Sequence, residues 1–385
     1  MKRAGLLIII VSLVAGFLPV RGAAADLNVP GKSAVLMDVA TGTILYEQNP
    51  HEALAPASVT KVMTLLLIME AIDSGKIGWD DMVTASEAAA AKGGSQIYLK
   101  VGETMSVSDM VKSIAVSSAN DCACAMAEHL AGSESAFVDL MNTRAQELGM
   151  GDTHFVNCTG LDDGAEAVNH RTSAHDIAIM SRELLKNHPD IKKFTTIWMD
   201  TVRNGAFGLS NTNKMVRFYD GCTGLKTGFT SGAGYCLSAS AQRSGLELIA
   251  VVMGSATSAD RFAACKGMLD YGFANFALYE PVVQEGASVP VTLGKSGAVG
   301  AIPKEEAQLL VEKGQVNSIV TEVELIDTVT APIAAGDPLG KLTIKCQDEI
   351  LKEIPLVAES DVERLTWGDI TVQMLRQIAM AKPSS

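Results

Sequence analysis

The chain has 385 residues, 48% of them hydrophobic, with 44 acidic against 31 basic side chains and a formal net charge of −13. That length allows two domains or more with ample apolar material for their cores, and so acidic a balance is repelled by phosphate backbones, which argues against any nucleic-acid partner. Seven cysteines, an odd number at scattered spacings, fit neither a disulfide framework nor a zinc site and read as small buried hydrophobes.

The first 25 residues read as an export signal. Lys2 and Arg3 form a basic start, Leu6 to Leu18 are almost wholly apolar, and Ala23-Ala24-Ala25 is a small-residue cleavage site. A membrane-spanning anchor needs about 20 apolar residues, and Gly16, Pro19 and Arg21 break this run too early. Beyond it, Ala34–Asp38 and Ile44–Glu47 flank Ala40-Thr41-Gly42-Thr43 as a β-hairpin.

Pro56-Ala57-Ser58 leads into an apolar helix from Val59 to Ile72, stopped near Gly75. Ser58 and Lys61 are three residues apart at its start, so they share a face and lie within hydrogen-bonding reach. Serine is a poor nucleophile until a nearby base takes its proton. Lysine is such a base only if burial or a neighbouring positive charge lowers its pKa. The run Val62 to Met69 behind Lys61 is apolar enough to be buried all round. A helix N-terminus at Ser58 also favours any oxyanion formed there.

Val107–Ala119 and Asp121–Leu130 read as two helices meeting at Ser118-Ala119-Asn120, where alternate residues can point into one cleft. A second hydroxyl there could relay a proton to a leaving amine, and the amide could hold a substrate carbonyl and Lys61. Ser173–Leu185 is a further helix. Lys226-Thr227-Gly228 supplies a cation and a hydroxyl suited to a substrate carboxylate. The glycine that follows lets another backbone approach, as on a strand lining a cleft. Leu237–Ser240 and Leu246–Met253 read as buried strands around Arg243-Ser244-Gly245, followed by a helix near Arg261–Tyr271. Mixed strands and helices predict an α/β or α+β domain of about 250 residues.

Composition shifts after Tyr279-Glu280-Pro281. Val289–Leu293, Glu322–Leu325 and Leu339–Ile344 alternate as half-buried strands, with Lys304–Lys313 the one helical stripe among them. The domains expected are therefore a signal at 1–25, a catalytic domain at 26–280, a β-rich domain at 281–362 and a terminal helix at 363–385. On that last helix Trp367, Ile370, Met374, Leu375 and Ile378 share one face, an arrangement suited to a membrane interface or to docking on the β-rich domain.

Taken together, Ser58-Val59-Thr60-Lys61, Ser118-Ala119-Asn120 and Lys226-Thr227-Gly228 resemble the signature of serine penicillin-recognising enzymes. The chain further resembles the low-molecular-mass penicillin-binding proteins that are serine-type D-alanyl-D-alanine carboxypeptidases. The likeness runs from about Lys32 to the C-terminus, through Gly93-Gly94-Ser95, Asn157–Leu161, His170–Asp176 and Gly221–Gly228. It implies a β-lactamase/transpeptidase-like α+β domain, an antiparallel sheet flanked by helices, followed by a small all-β domain. It implies Ser58 as nucleophile, Lys61 as base, and Ser118 and Asn120 as the second catalytic element. Lys226 and Thr227 would bind the terminal carboxylate, Gly228 would admit the neighbouring backbone, and the N–H groups of Ser58 and Phe229 would form the oxyanion hole. Arg261 would orient the carboxylate.

The implied substrates are peptidoglycan stem pentapeptides and the implied inhibitors β-lactam antibiotics, with no cofactor and no metal, outside the cytoplasmic membrane. Ala119 stands where glycine is common in that family, Cys158 where proline is frequent, and Thr212 where some members carry arginine. Two other readings compete. A class A-like β-lactamase would use Glu166 in deacylation, although Glu166-Ala-Val-Asn169 is one residue short of that loop and reads as a solvated segment. A non-catalytic penicillin sensor would not require both lysines.

Overall fold

The computed structural model describes residues 27–281 and 287–380. The expected export signal lies outside them. Strand β1 (Ser33–Asp38) pairs with β2 (Ile44–Gln48) as the predicted hairpin. After a 3-10 turn at Ala57–Thr60 comes α1 (Lys61–Asp73). Three longer helices follow: α2 (Val107–Ser117), α3 (Asn120–Ala131) and α4 (Glu134–Glu147). Next is α5 (Ala174–Asn187), N-capped by Ser173, whose side chain accepts from the Asp176 N–H. Strands β3 (Cys222–Thr230), β4 (Gly234–Arg243) and β5 (Leu246–Ser255) lead to α6 (Ser258–Asn275), which opens on a capping box between Thr257 and Asp260.

These strands form one antiparallel sheet in the order β2-β1-β5-β4-β3. Alternate residues feed two cores. Val35, Met37, Ile249, Val251 and Met253 join a cluster with α1, α2, α3 and α5, while Ala34, Leu36, Leu248, Ala250 and Val252 pack against α6. A sheet covered on both faces buries every residue of β1, which is why β1 and β5 read as continuous apolar runs. The result is an α+β domain whose sheet is flanked by helices, with β3 as an edge strand running past the turn that carries Ser58.

Beyond β6 (Phe276–Tyr279) the chain is mostly strand. It contains β7 (Ser288–Thr292), β8 (Ala298–Pro303), β9 (Leu309–Glu312), β10 (Ile319–Leu325), β11 (Val329–Thr330), β12 (Pro338–Cys346) and β13 (Glu349–Ala358). A six-stranded sheet of order β10-β12-β13-β8-β7-β11 encloses a third core around Leu339, Leu342, Ile344, Ile354 and Leu356. The helical stripe expected over Lys304–Lys313 is not a helix. Leu309–Glu312 pairs instead with Phe276–Tyr279 as β9, and Leu310 enters the second core. The two parts are tied further by Lys313 Nζ on the Phe273 carbonyl and by the Lys186–Glu306 ion pair at 2.7 Å.

Last comes α7 (Trp367–Met380). Trp367, Met374 and Leu375 are 86%, 62% and 61% exposed, so these members of the apolar face do not pack on the β-rich sheet. Among the described residues no helix is long and apolar enough to cross a membrane. All seven cysteines are free, six of them buried and Cys222 half-buried.

Candidate active site

Ser58 is the only residue of its turn that reaches solvent; Ala57, Val59 and Thr60 are buried. Lys61 follows as the first residue of α1 and is fully buried. Its Nζ lies 2.9 Å from Ser58 Oγ and 2.8 Å from the Thr159 carbonyl oxygen. Burial pulls the Lys61 pKa from the ordinary lysine value down to about 7, and the buried Asp121 carboxylate offsets only part of that. A neutral amine has two hydrogens and one lone pair. With one hydrogen on Thr159, the lone pair is free to take the proton of Ser58.

Ser118 caps α2 in the left-handed region at φ 64°, and Asn120 opens α3. Both are buried. The Asn120 side-chain amide donates to the Gly93 carbonyl at 2.7 Å, and its backbone N–H donates to Ser95 at the same distance. Asn120 Oδ1 is buried with no hydrogen-bond partner. The expected Asn120–Lys61 contact is therefore not made, because Lys61 is held by Ser58 and Thr159. Asp121, not singled out from sequence, holds the neighbouring loop. Its carboxylate accepts from the backbone N–H groups of Ile97, Leu99 and Cys122 at 3.1, 3.0 and 2.9 Å. The Gly93-Gly94-Ser95 block was the only sequence signal for that loop.

On β3, Lys226 is buried and its Nζ donates to the Thr227 carbonyl at 2.9 Å. Burial, then the nearby positive charges of Lys61 and Arg261, push its pKa well below the ordinary lysine value. Thr227 Oγ1 donates to Thr212 Oγ1 at 2.7 Å, so the residue standing where some relatives carry arginine meets the third motif directly. A Cβ on Gly228 would lie 2.7 Å from the Pro56 carbonyl oxygen and 3.1 Å from the backbone nitrogens of Ser58 and Val59. Only glycine lets β3 pass this close to the Ser58 turn. Phe229 is half exposed and stacks on Tyr235, with ring centroids 4.2 Å apart.

Arg261 is not a surface residue: it is 8% exposed, Nη1 donates to the Gly228 carbonyl at 2.8 Å and the Cys236 carbonyl at 3.3 Å, and Nε is buried without a partner. Its charge adds to the positive field of the site, while its hydrogen bonds hold β3 and β4. Glu166 lies exposed on the short turn Ala165–Asn169. Elsewhere Glu70, Glu183 and His188 are spaced like metal ligands. Both of those carboxylates are already paired to Arg144, at 2.8 and 2.7 Å.

Ser58 thus stands beside a lysine of near-neutral pKa, and the strand that carries the second lysine lies against the serine turn. Comparison with known proteins identifies the family. Residues 20–257 match the family described as D-alanyl-D-alanine carboxypeptidase, and residues 279–364 match penicillin-binding protein 5, C-terminal domain. The chain is 44% identical over 347 residues to D-alanyl-D-alanine carboxypeptidase DacF of Bacillus subtilis, covering 88% of each chain. It superposes on penicillin binding protein 5 from Haemophilus influenzae with a TM-score of 0.74 at 32% identity, covering 87% of this chain and 98% of the other. The ampicillin-bound form of penicillin-binding protein D2 from Listeria monocytogenes matches with a TM-score of 0.59 at 31% identity, over 65% of this chain and all of that one.

Proposed function

Because the chain belongs to the D-alanyl-D-alanine carboxypeptidase family, we propose that Ser58 is the residue acylated when it releases the terminal D-Ala of a peptidoglycan stem pentapeptide. The enzyme is a serine-type D-Ala-D-Ala carboxypeptidase with a penicillin-binding-protein fold. The residue roles are our reading. Lys61, as the neutral amine, takes the Ser58 proton while Oγ attacks the carbonyl of the D-Ala–D-Ala bond. The backbone N–H groups of Ser58 and Phe229 stabilise the oxyanion. The proton passes through Lys61 and Ser118 to the leaving amine, D-Ala departs, and water hydrolyses the ester by the reverse relay. Lys226 and Thr227 receive the terminal carboxylate, and Asn120 orients the substrate amide. Arg261 supports the carboxylate site from behind, through the Gly228 carbonyl.

The observation that carries this reading is the 2.9 Å approach of Lys61 Nζ to Ser58 Oγ in a buried setting that keeps the amine near neutrality. A β-lactam, a strained amide beside a carboxylate, fits the same site and forms the same ester. On the domain plan, residues 26–280 carry catalysis and 281–362 the β-rich support. The exposed apolar face of α7 rests in the outer interface of the cytoplasmic membrane once residues 1–25 are removed. Mass spectrometry after incubation with penicillin tests the reading. A long-lived adduct on the Ser58 peptide is expected, together with D-Ala release from a pentapeptide. An adduct that turns over rapidly to hydrolysed drug would support a β-lactamase instead, and an adduct on another serine would overturn the assignment.

A further inference from the structure

Ala57, immediately before the nucleophile, adopts φ +48° although it is not glycine. Such a conformation costs on the order of 1 kcal/mol or more and persists only where its surroundings enforce it. The enforcing contact is on the Ala57 carbonyl, which accepts from Thr60 Oγ1 at 2.8 Å. Thr60 Oγ1 in turn lies 2.8 Å from His170 Nε2, 110 residues away.

The direction of this chain is set at its far end. The backbone N–H of Val156 donates to His170 Nδ1 at 3.1 Å, so Nδ1 carries no proton and Nε2 does. His170 Nε2–H therefore donates to Thr60, and the single Thr60 hydrogen goes to Ala57. Every link has one allowed polarity. His170 is itself fixed: backbone bonds join Arg171 to His154 and Thr172 to Leu54, and the Phe155 ring packs edge-on against the imidazole. Burial, with smaller contributions from His154, Arg171 and Lys61, holds its pKa at about 4, which keeps the imidazole neutral. Gly160 closes the other side, since a Cβ there would fall 1.8 Å from the Ala57 carbonyl oxygen.

We propose that His170 is a positioning residue for acylation: through Thr60 it locks the strained Ala57 turn and thereby sets Ser58 Oγ against Lys61. This rests on Ser58 being the nucleophile, which the Ser58 adduct on the wild-type enzyme checks without any variant. His170 touches no reacting atom and works only by where it holds the serine.

The test compares acylation by a fluorescent penicillin with thermal melting in full-length variants. Thr60→Val and His170→Phe each remove the chain and should slow acylation about tenfold or more per folded molecule, beyond any change in Tm. The double variant should be no slower than the slower single one, because both substitutions break the same link. His170→Gln can accept from Val156 and donate to Thr60, and Thr60→Ser keeps the hydroxyl; both should restore most of the rate. If His170→Phe does not fold, the Thr60 pair reads the same chain. Wild-type acylation by Thr60→Val, additive losses in the double variant, or failure of both rescuing variants would overturn the proposal.

Discussion

Lys61 Nζ stands between two oxygens, Ser58 Oγ at 2.9 Å and the Thr159 carbonyl at 2.8 Å, with no solvent access. That position suits the amine to the base role proposed for it. Lys61→Met keeps the length and apolar packing but has no lone pair of comparable basicity. It should lower the penicillin acylation rate by about 10²–10⁴-fold while leaving a cooperative thermal transition. Near wild-type acylation by this variant would remove Lys61 from the base role.

The same burial sets the pH profile. As the proposed base, Lys61 would act only when unprotonated, and its pKa is lowered to about 7. Acylation should therefore rise about tenfold per pH unit below that value and level off above it. The role proposed for Lys226 runs in the opposite sense, since it would bind a carboxylate only when protonated. With its pKa held below the ordinary lysine value, peptide KM should worsen on the alkaline side before free lysine would titrate. A rate that is flat from pH 5 to 8 contradicts the first limb.

Gly228→Ala should injure catalysis more than folding. Its methyl group would meet the Pro56 carbonyl and the Ser58 nitrogen, pushing β3 away from the serine turn. Overpacking of this kind costs about 1–3 kcal/mol of stability, whereas a displacement approaching 1 Å at the reacting atoms costs about 10²-fold in rate. Kinetics and melting of the one variant separate the two.

Arg261 has two roles that a substrate comparison separates. A carboxylate-binding arginine would discriminate between a D-Ala-D-Ala peptide and an analogue without the terminal carboxylate. The Arg261 guanidinium is instead bonded to the Gly228 and Cys236 carbonyls. Arg261→Ala should then slow both substrates by a similar factor and lower stability by about 1–3 kcal/mol through the unpaired carbonyls. A loss confined to the carboxylate-bearing peptide would restore the original role.

Deleting the residues after Glu363 should release the exported protein from membranes without altering turnover of a soluble peptide. Trp367, Val372, Met374 and Leu375 of α7 are exposed, and burial of a large apolar side chain in an interface is worth about 1.5–3 kcal/mol. High salt should not mimic the deletion, since apolar contact is not screened. A lowered Tm with unchanged fractionation would mean that the helix docks on the β-rich sheet.

What was legible in the sequence follows from distance along the chain. Ser58 and Lys61 are one helical turn apart, and Lys226 to Gly228 are consecutive, so their chemistry is written locally. The fold class was legible too, because a sheet buried on both faces leaves uninterrupted apolar runs such as Leu248–Met253. Contacts that exist only after folding were not legible. Asp121 meets Ile97 and Leu99 over more than 20 residues, and the Thr159 carbonyl reaches Lys61 across 98. Lys304–Lys313 misled for the same reason: its apolar spacing suits a helix, but a waiting partner strand at Phe276–Tyr279 decides the outcome. Arg261 could be recognised by type, yet nothing local distinguishes an arginine that grips a ligand from one that grips its own backbone.

The unpaired cysteines have a consequence for how this protein tolerates its surroundings. Oxidation and alkylation both begin with an accessible thiolate, and burial pushes the thiols of Cys122, Cys124, Cys158, Cys222, Cys236 and Cys265 up, away from ionisation. A native molecule offers such reagents very little, whereas an unravelled one presents seven reactive sulfurs at once. Thiol labelling is therefore a clock for opening of the chain, and damage by oxidants is directed at molecules that have already lost their shape.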